Sequence, residues 1–178
     1  GTFGGPNLEI DIYGGYSGTF GGVGTFSFGA TGYIYPDAPG NNDYIEPFVT
    51  IGADVAGLST KAGIAWVPEQ SSINSNFYVY GDASYALPIP ELPAPVTLTA
   101  HIGHTDGSLS LPAPGFGDTL LDWSIGVEVS KFGFTLAAKY IDTDASSAKE
   151  ISSGARGSGF GTPEIADPTV VGSISYSF

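Results

Sequence analysis

The chain has 178 residues, with 18 acids against 5 Lys plus Arg for a formal net charge of −13, and it contains 27 Gly, 23 aromatics and no Cys or Met. These values exclude a disulfide framework and a thiolate metal site, and they argue against a nucleic-acid partner, which needs basic clusters. No run of about 20 apolar residues is present, so no membrane-spanning helix is expected, yet the aromatic content is too high for an acidic disordered chain.

Nine segments alternate with period two, the pattern of strands with two unlike faces. In Leu8 to Tyr16, Leu8, Ile10, Ile12 and Tyr16 share one face and Glu9, Asp11 and Tyr13 the other. Thr25 to Tyr35 sets Phe26, Phe28, Ala30 and Ile34 against Ser27, Thr31 and Tyr33. Tyr44 to Val55 sets Ile45, Val49, Ile51 and Ala53 against Glu46, Thr50 and Asp54, and Leu58 to Trp66 sets Leu58, Ala62, Ile64 and Trp66 against Ser59, Lys61 and Gly63. Phe77 to Leu87 sets Phe77, Val79, Ala83 and Tyr85 against Tyr78, Tyr80, Asp82 and Ser84, and Val96 to Thr105 sets Val96, Leu98, Ala100 and Ile102 against Thr97, Thr99 and His101. Leu121 to Ser130 sets Leu121, Trp123, Ile125, Val127 and Val129 against Asp122, Ser124 and Glu128. Phe134 to Asp142 and Thr169 to Phe178 complete the set, with Lys139 on the polar face of the first and Ile174, Tyr176 and Phe178 on the apolar face of the second. Only Ala145 to Glu150 suggests a turn of helix, within a loop.

A soluble sandwich also alternates, so three further features carry the fold expectation. Longer connections, around Pro36 to Asn42, Val67 to Ser75, Asp106 to Thr119 and Ala145 to Pro168, take turns with short ones such as Ala56-Gly57 and Lys131-Phe132-Gly133. Pro88 to Pro95 is the exception on the short side. On the apolar face, Trp66, Trp123 and Tyr140 fall toward one end, and Tyr16, Phe26, Tyr85, Phe134, Tyr176 and Phe178 toward the other, as aromatic girdles at two membrane–water interfaces would. The chain stops on Phe178 with Tyr176 and Ile174 alternating before it, as outer-membrane barrels commonly end, so barrel-assembly machinery and outer-membrane lipid are the expected partners.

The expectation is an all-β, antiparallel transmembrane β-barrel in the bacterial outer membrane. Residues 1–178 form one domain, with long extracellular loops near 106–119 and 145–168. Nine strands would leave the first and last parallel, whereas bacterial single-chain barrels have an even number of antiparallel strands. Strands upstream of Gly1 are the favoured resolution, ahead of a partner chain, a homo-oligomer or a miscount. Gly1 to Pro6 would then be the remnant of an extracellular loop of a processed chain.

Several stretches resemble the TorF-type porin-like family of proteobacterial outer-membrane proteins. They are EIDIYGGYSG from Glu9, GYIYPDA from Gly32, FYVYGDASYALP from Phe77, LDWSIGVEVSKFGFTLAAKYIDTD from Leu121 and the terminal SISYSF. The resemblance implies an outer-membrane barrel with a porin-like role and about three further strands before the position of Glu9, for twelve in all. It brings no catalytic residues.

The expected lumen-lining residues are Glu9, Asp11, Tyr13, Glu46, Asp54, Lys61, Tyr78, Tyr80, Asp82, Asp122, Glu128 and Lys139. Their acidic excess favours cations in a small diffusion pore. The alternative is a structural or interaction protein whose barrel is plugged by inward tyrosines, with lysine–acid pairs serving stability. No enzyme motif is legible. His101 and His104, three apart on a strand, face opposite sides and so do not share a metal ion. No cofactor is expected, although the acidic stretches Asp37 to Asp43 and Asp142 to Asp144 could bind Ca²⁺ weakly. The Gly21 to Gly24 and Gly157 to Gly161 clusters read as turns.

Overall fold

The computed structural model describes residues 8–36, 42–70, 73–89, 94–110, 119–144 and 168–178. Among them run nine strands and no helix: β1 (Ile10–Phe20), β2 (Gly24–Ile34), β3 (Tyr44–Val55), β4 (Leu58–Val67), β5 (Asn76–Ala86), β6 (Val96–Gly107), β7 (Thr119–Lys131), β8 (Phe134–Thr143) and β9 (Thr169–Tyr176). They pair in sequence order as one antiparallel sheet. The first strand runs four residues past the expected Tyr16, to Phe20, which shortens its connection to the turn 21–23. The possible helical turn at Ala145 to Glu150, the Gly157 to Gly161 cluster and most of both long loops lie outside the described residues, as does Gly1 to Pro6.

Turn chemistry fixes the hairpins. Ala56 and Gly57 have φ of 52° and 84°, and Phe132 and Gly133 have 54° and 81°. Positive φ at both central residues is the type I′ signature, whose twist matches that of the flanking strands. Connections 21–23, 56–57, 87–95 and 132–133 lie at one end of the sheet, and 35–43, 68–75, 108–118 and 144–168 lie at the other.

Pro47 marks a place where the ladder must be replaced, because it has no N–H to give. The β3–β4 ladder starts only at Phe48, opposite Ala65. Beyond it the Gln70 side chain substitutes for a strand: its Nε2 donates to the Ile45 carbonyl at 2.8 Å and its Oε1 accepts from the Ile45 N–H at 3.0 Å.

The two faces of the sheet are exposed the wrong way round for a soluble domain. Ile12, Ile102, Ile125 and Ile174, on the apolar face, are 61%, 56%, 64% and 68% exposed. Among the described residues the buried apolar side chains are only Ala65 and Val67, both on the polar face by register. The edge strands β1 and β9 are exposed on both faces, whereas across β4 to β8 the polar face is the sheltered one, with the side chains of His101 and Asp122 26% and 27% exposed. A cavity of about 390 Å³ opens on it, walled by five consecutive strands from Lys61 on β4 to Lys139 on β8. Five neighbouring strands enclose one cavity only if the sheet curls toward its polar side.

Among the described residues no ladder joins β1 to β9. Both outer strands therefore leave an edge unpaired, and since neighbours alternate in direction, the two edge strands run the same way. The fold is an all-β, antiparallel, open sheet of nine strands.

Candidate functional site: the polar face

Cross-strand partners share a face, so the registers assign each side chain a side. Asp11 and Tyr13 oppose Tyr33 and Thr31, and Thr31 opposes Glu46. Lys61 opposes Asp82, Asp82 opposes His101 and His101 opposes Ser124. Tyr78, Tyr80, Asp122, Glu128 and Lys139 fall in phase with them, and Asp54 opposes Ser59. Glu9, just before β1, is hydrogen-bonded to Tyr35. The twelve expected polar-face residues thus lie on one side of the sheet.

Two arrangements divide this face. Across β4 to β8 the acids alternate with lysine or histidine side chains. Lys61 Nζ sits 2.9 Å from Asp82 Oδ2, and the other Asp82 oxygen lies 2.6 Å from His101 Nδ1. His101 Nε2 lies 2.9 Å from Asp122 Oδ1 and 2.9 Å from the Tyr78 hydroxyl. Ionised carboxylates only accept, so His101 serves both of them at once when each ring nitrogen carries its proton. Lys139 Nζ lies 3.5 Å from Glu128 Oε1. The Tyr78 and Tyr80 rings stack at 5.4 Å, and Lys61 Nζ stands 5.3 Å from the Tyr80 ring centroid.

These rings lie down on the wall because glycines leave room for them. A Cβ at Gly63 would run into the Tyr80 ring, and one at Gly103 into the Tyr78 ring. Each ring therefore covers a bare stretch of the neighbouring strand, as an aromatic covers a strand glycine in a well-formed sheet.

Across β1 to β3, Glu9, Asp11 and Glu46 have phenols for company and no base. Tyr33 donates to Glu46 Oε1 at 3.4 Å, and its ring stacks on Tyr44 at 4.6 Å. Outside the strands, burial pushes the Tyr35 hydroxyl well above the usual phenol range, and its hydrogen bond to Glu9 acts in the same direction. Among the described residues, Glu9, Asp11, Glu46 and Asp54 form no ion pair.

The expected interface aromatics all fall on the apolar face or continue it. Tyr16 lies 6.0 Å from Phe26, Phe134 lies 4.7 Å from Tyr176, and Phe178 follows at 6.3 Å, all at the short-turn end with Tyr85 beside Leu58. Trp66 opposes Phe77, Trp123 opposes Ile102 and Tyr140 opposes Ile125, toward the other end. His104 opposes Val79 and Leu121 on the apolar face, away from His101.

His101 is the residue that sequence reasoning undervalued. The period placed it on the polar face, but its two partners come from different neighbouring strands, so no local pattern pairs them. No group of three or more metal-ligating side chains occurs among the described residues. Asp142 and Asp144 are engaged locally, accepting from the Thr143 N–H at 2.8 Å and the Leu121 N–H at 2.9 Å. Asp37 lies outside the described residues. No helix among those residues is long and apolar enough to cross a membrane, which says nothing about crossing by strands.

The chain belongs to the bacterial Gcw_chp family. The family is described as a bacterial protein of unknown function, and its model matches residues 1–178. Neither the curated proteins nor the solved structures contain a match. Membership in Gcw_chp thus adds a bacterial source to the open sheet and leaves the chemistry to the polar face itself.

Proposed function

We propose that this Gcw_chp chain forms most of the wall of an outer-membrane β-barrel that lets small solutes diffuse passively, with a mild preference for cations. The observation that carries the reading is the inverted exposure of the sheet. In water a continuous apolar face drawn from nine strands is unfavourable by about 25 cal/mol per Å², and soluble monomers rarely expose such patches beyond a few hundred Å². In a bilayer that face meets lipid, and the sheltered polar face lines an aqueous lumen.

Strands of 8 to 13 residues suit a tilted crossing of the hydrocarbon layer. Unpaired edges are intolerable in lipid, so the β1 and β9 edges are closed by strands outside these nine, twelve in all being the count that the likeness to TorF-type porins suggests. The flat seating of Tyr78 and Tyr80 against the wall favours an open lumen over a plugged one, and the uncompensated acids of β1 to β3 supply the cation preference.

The test is planar-bilayer conductance of the purified, refolded protein in a KCl gradient. Discrete steps with a cation-selective reversal potential are expected. A silent bilayer with verified insertion would overturn the pore and favour the structural or interaction reading.

A further inference from the structure

We propose that the cavity between Lys61 and Lys139 is a binding site for a small, hydroxylated organic carboxylate. This goes beyond the porin-like reading, whose cation preference stems from β1 to β3, by assigning an anion site to β4 to β8, and it rests on that reading only for the route by which the ligand arrives. At about 390 Å³ the cavity falls in the lower part of the range for small-molecule sites, about 300–1,000 Å³.

Its lining differs from the rest of the polar face. Two of the chain's five basic residues stand in it, on the first and last of its five strands. Its one carboxylate, Asp82, is already spent: Lys61 takes one oxygen and His101 the other. The Lys61 ammonium has three donors and one carboxylate partner, and Lys139 makes only the long 3.5 Å contact to Glu128. Ser59, Ser84 and Thr99 form one cross-strand row, with Ser124 in the row beside it. Among the described residues none of these four hydroxyls has a hydrogen-bond partner in the protein.

What remains is therefore the spare donors of two paired ammonium groups, on the first and last strands of the cavity, and a floor of hydroxyls between them. Spare donors without spare carboxylate call for an oxyanion, and the hydroxyl row matches a polyol chain. The charge balance selects among oxyanions. Lys61 and Lys139 are each partly neutralised by an acid, and the cavity holds no Arg fork of the kind that grips phosphate in two places. A single carboxylate fits this balance better than a phosphate dianion. Bare Gly126 brings the aliphatic stem of Lys139 close over the wall beside Thr99, since a Cβ there would stand 2.6 Å from Lys139 Cγ and 2.8 Å from Thr99 Oγ1. A larger residue at 126 would push Lys139 off the hydroxyl row.

The experiment is equilibrium dialysis of the folded, detergent-solubilised protein against labelled sodium gluconate, with sorbitol and choline as comparison probes. Gluconate should bind saturably with a dissociation constant on the order of millimolar. Sorbitol, which lacks the carboxylate, should bind about tenfold more weakly, and choline should not saturate. Lys139→Gln should weaken gluconate about tenfold, while Lys131→Gln, at the remote turn, should leave it unchanged. Circular dichroism confirms that each variant is folded, and Lys61→Gln supplies a second route should Lys139→Gln unfold. Equal binding of gluconate and sorbitol, loss of neither variant's affinity, or no saturation overturns the site. Dialysis needs no conductance. Gluconate binding beside a silent bilayer would therefore sink only the pore, and conductance without gluconate binding would sink only this site.

Discussion

The strands β1 to β3 and the strands β4 to β8 share one backbone plan and one alternation, yet they treat charge in opposite ways. In the first region Glu9, Asp11 and Glu46 stand among tyrosines and Asp54 opposite Ser59, none with an ion-pair partner among the described residues. In the second, Lys61, Asp82, His101 and Asp122 form a chain of contacts between 2.6 and 2.9 Å. Unpaired charges of one sign project a field into the space in front of them, and paired charges cancel at a distance and hold their neighbours in place. One polar face thus carries two roles, a field on one side and a scaffold on the other, and both presuppose that the apolar face is covered by lipid.

The largest expected effect tests that presupposition. Ile125 is 64% exposed near the middle of β7 on the apolar face. If the face meets lipid, Ile125→Arg should destabilise the inserted state by about 2–4 kcal/mol, as at a bilayer midplane. If it meets water, the same change should fall within about 0.5 kcal/mol. Reversible guanidinium unfolding in lipid vesicles measures the difference. Ser27→Arg, on the polar face where Ser27 bonds Thr50 at 2.6 Å, provides the matched comparison and should be much milder.

The next effect separates the two regions from each other. Neutralising Glu46 and Asp54 together removes two uncompensated charges, so the cation-to-anion permeability ratio from reversal potentials should fall by roughly severalfold at low salt. Neutralising Asp82 frees Lys61 and His101 at the same time, so its effect on selectivity mixes a lost acid with two released bases. A double Glu46→Gln, Asp54→Asn variant with unchanged selectivity would remove the field from the first region.

How much of this was legible before the fold was known follows from where register is set. The nine strands, the face of each expected polar-face residue and the short and long ends are local properties, carried by period two and by glycine turns. The Lys139–Glu128 pair is nearly local as well. The turn at Phe132-Gly133 fixes Lys131 opposite Phe134, which brings Gly126 opposite Lys139 and Glu128 opposite Ala137. The His101 contacts are different. Asp82 is reached across the connection 87–95 and Asp122 across 108–118, and connections of that length leave the register free to slide by a residue pair. The inward curl, which creates the cavity, arises from the ladders together and has no signature in any one segment.

The smallest effect concerns the scaffold. His101→Ala removes the ring that joins Asp82 to Asp122, leaving Asp82 with Lys61 and Asp122 with the Tyr78 hydroxyl at 3.4 Å. The side chains involved are about a quarter to a third exposed, so water screens what is lost and the cost should be about 1 kcal/mol or less. His104→Ala, on the apolar face, removes no ion pair and serves as the control for deleting an imidazole. The sharper reading comes from a double-mutant cycle with Asp122→Ala. If the two residues act as one clamp, the double variant should be less destabilised than the sum of the singles, since each single strands a partner that the double removes. Strict additivity would mean that His101 and Asp122 are neighbours without coupling, and the alternating chain would then end at His101.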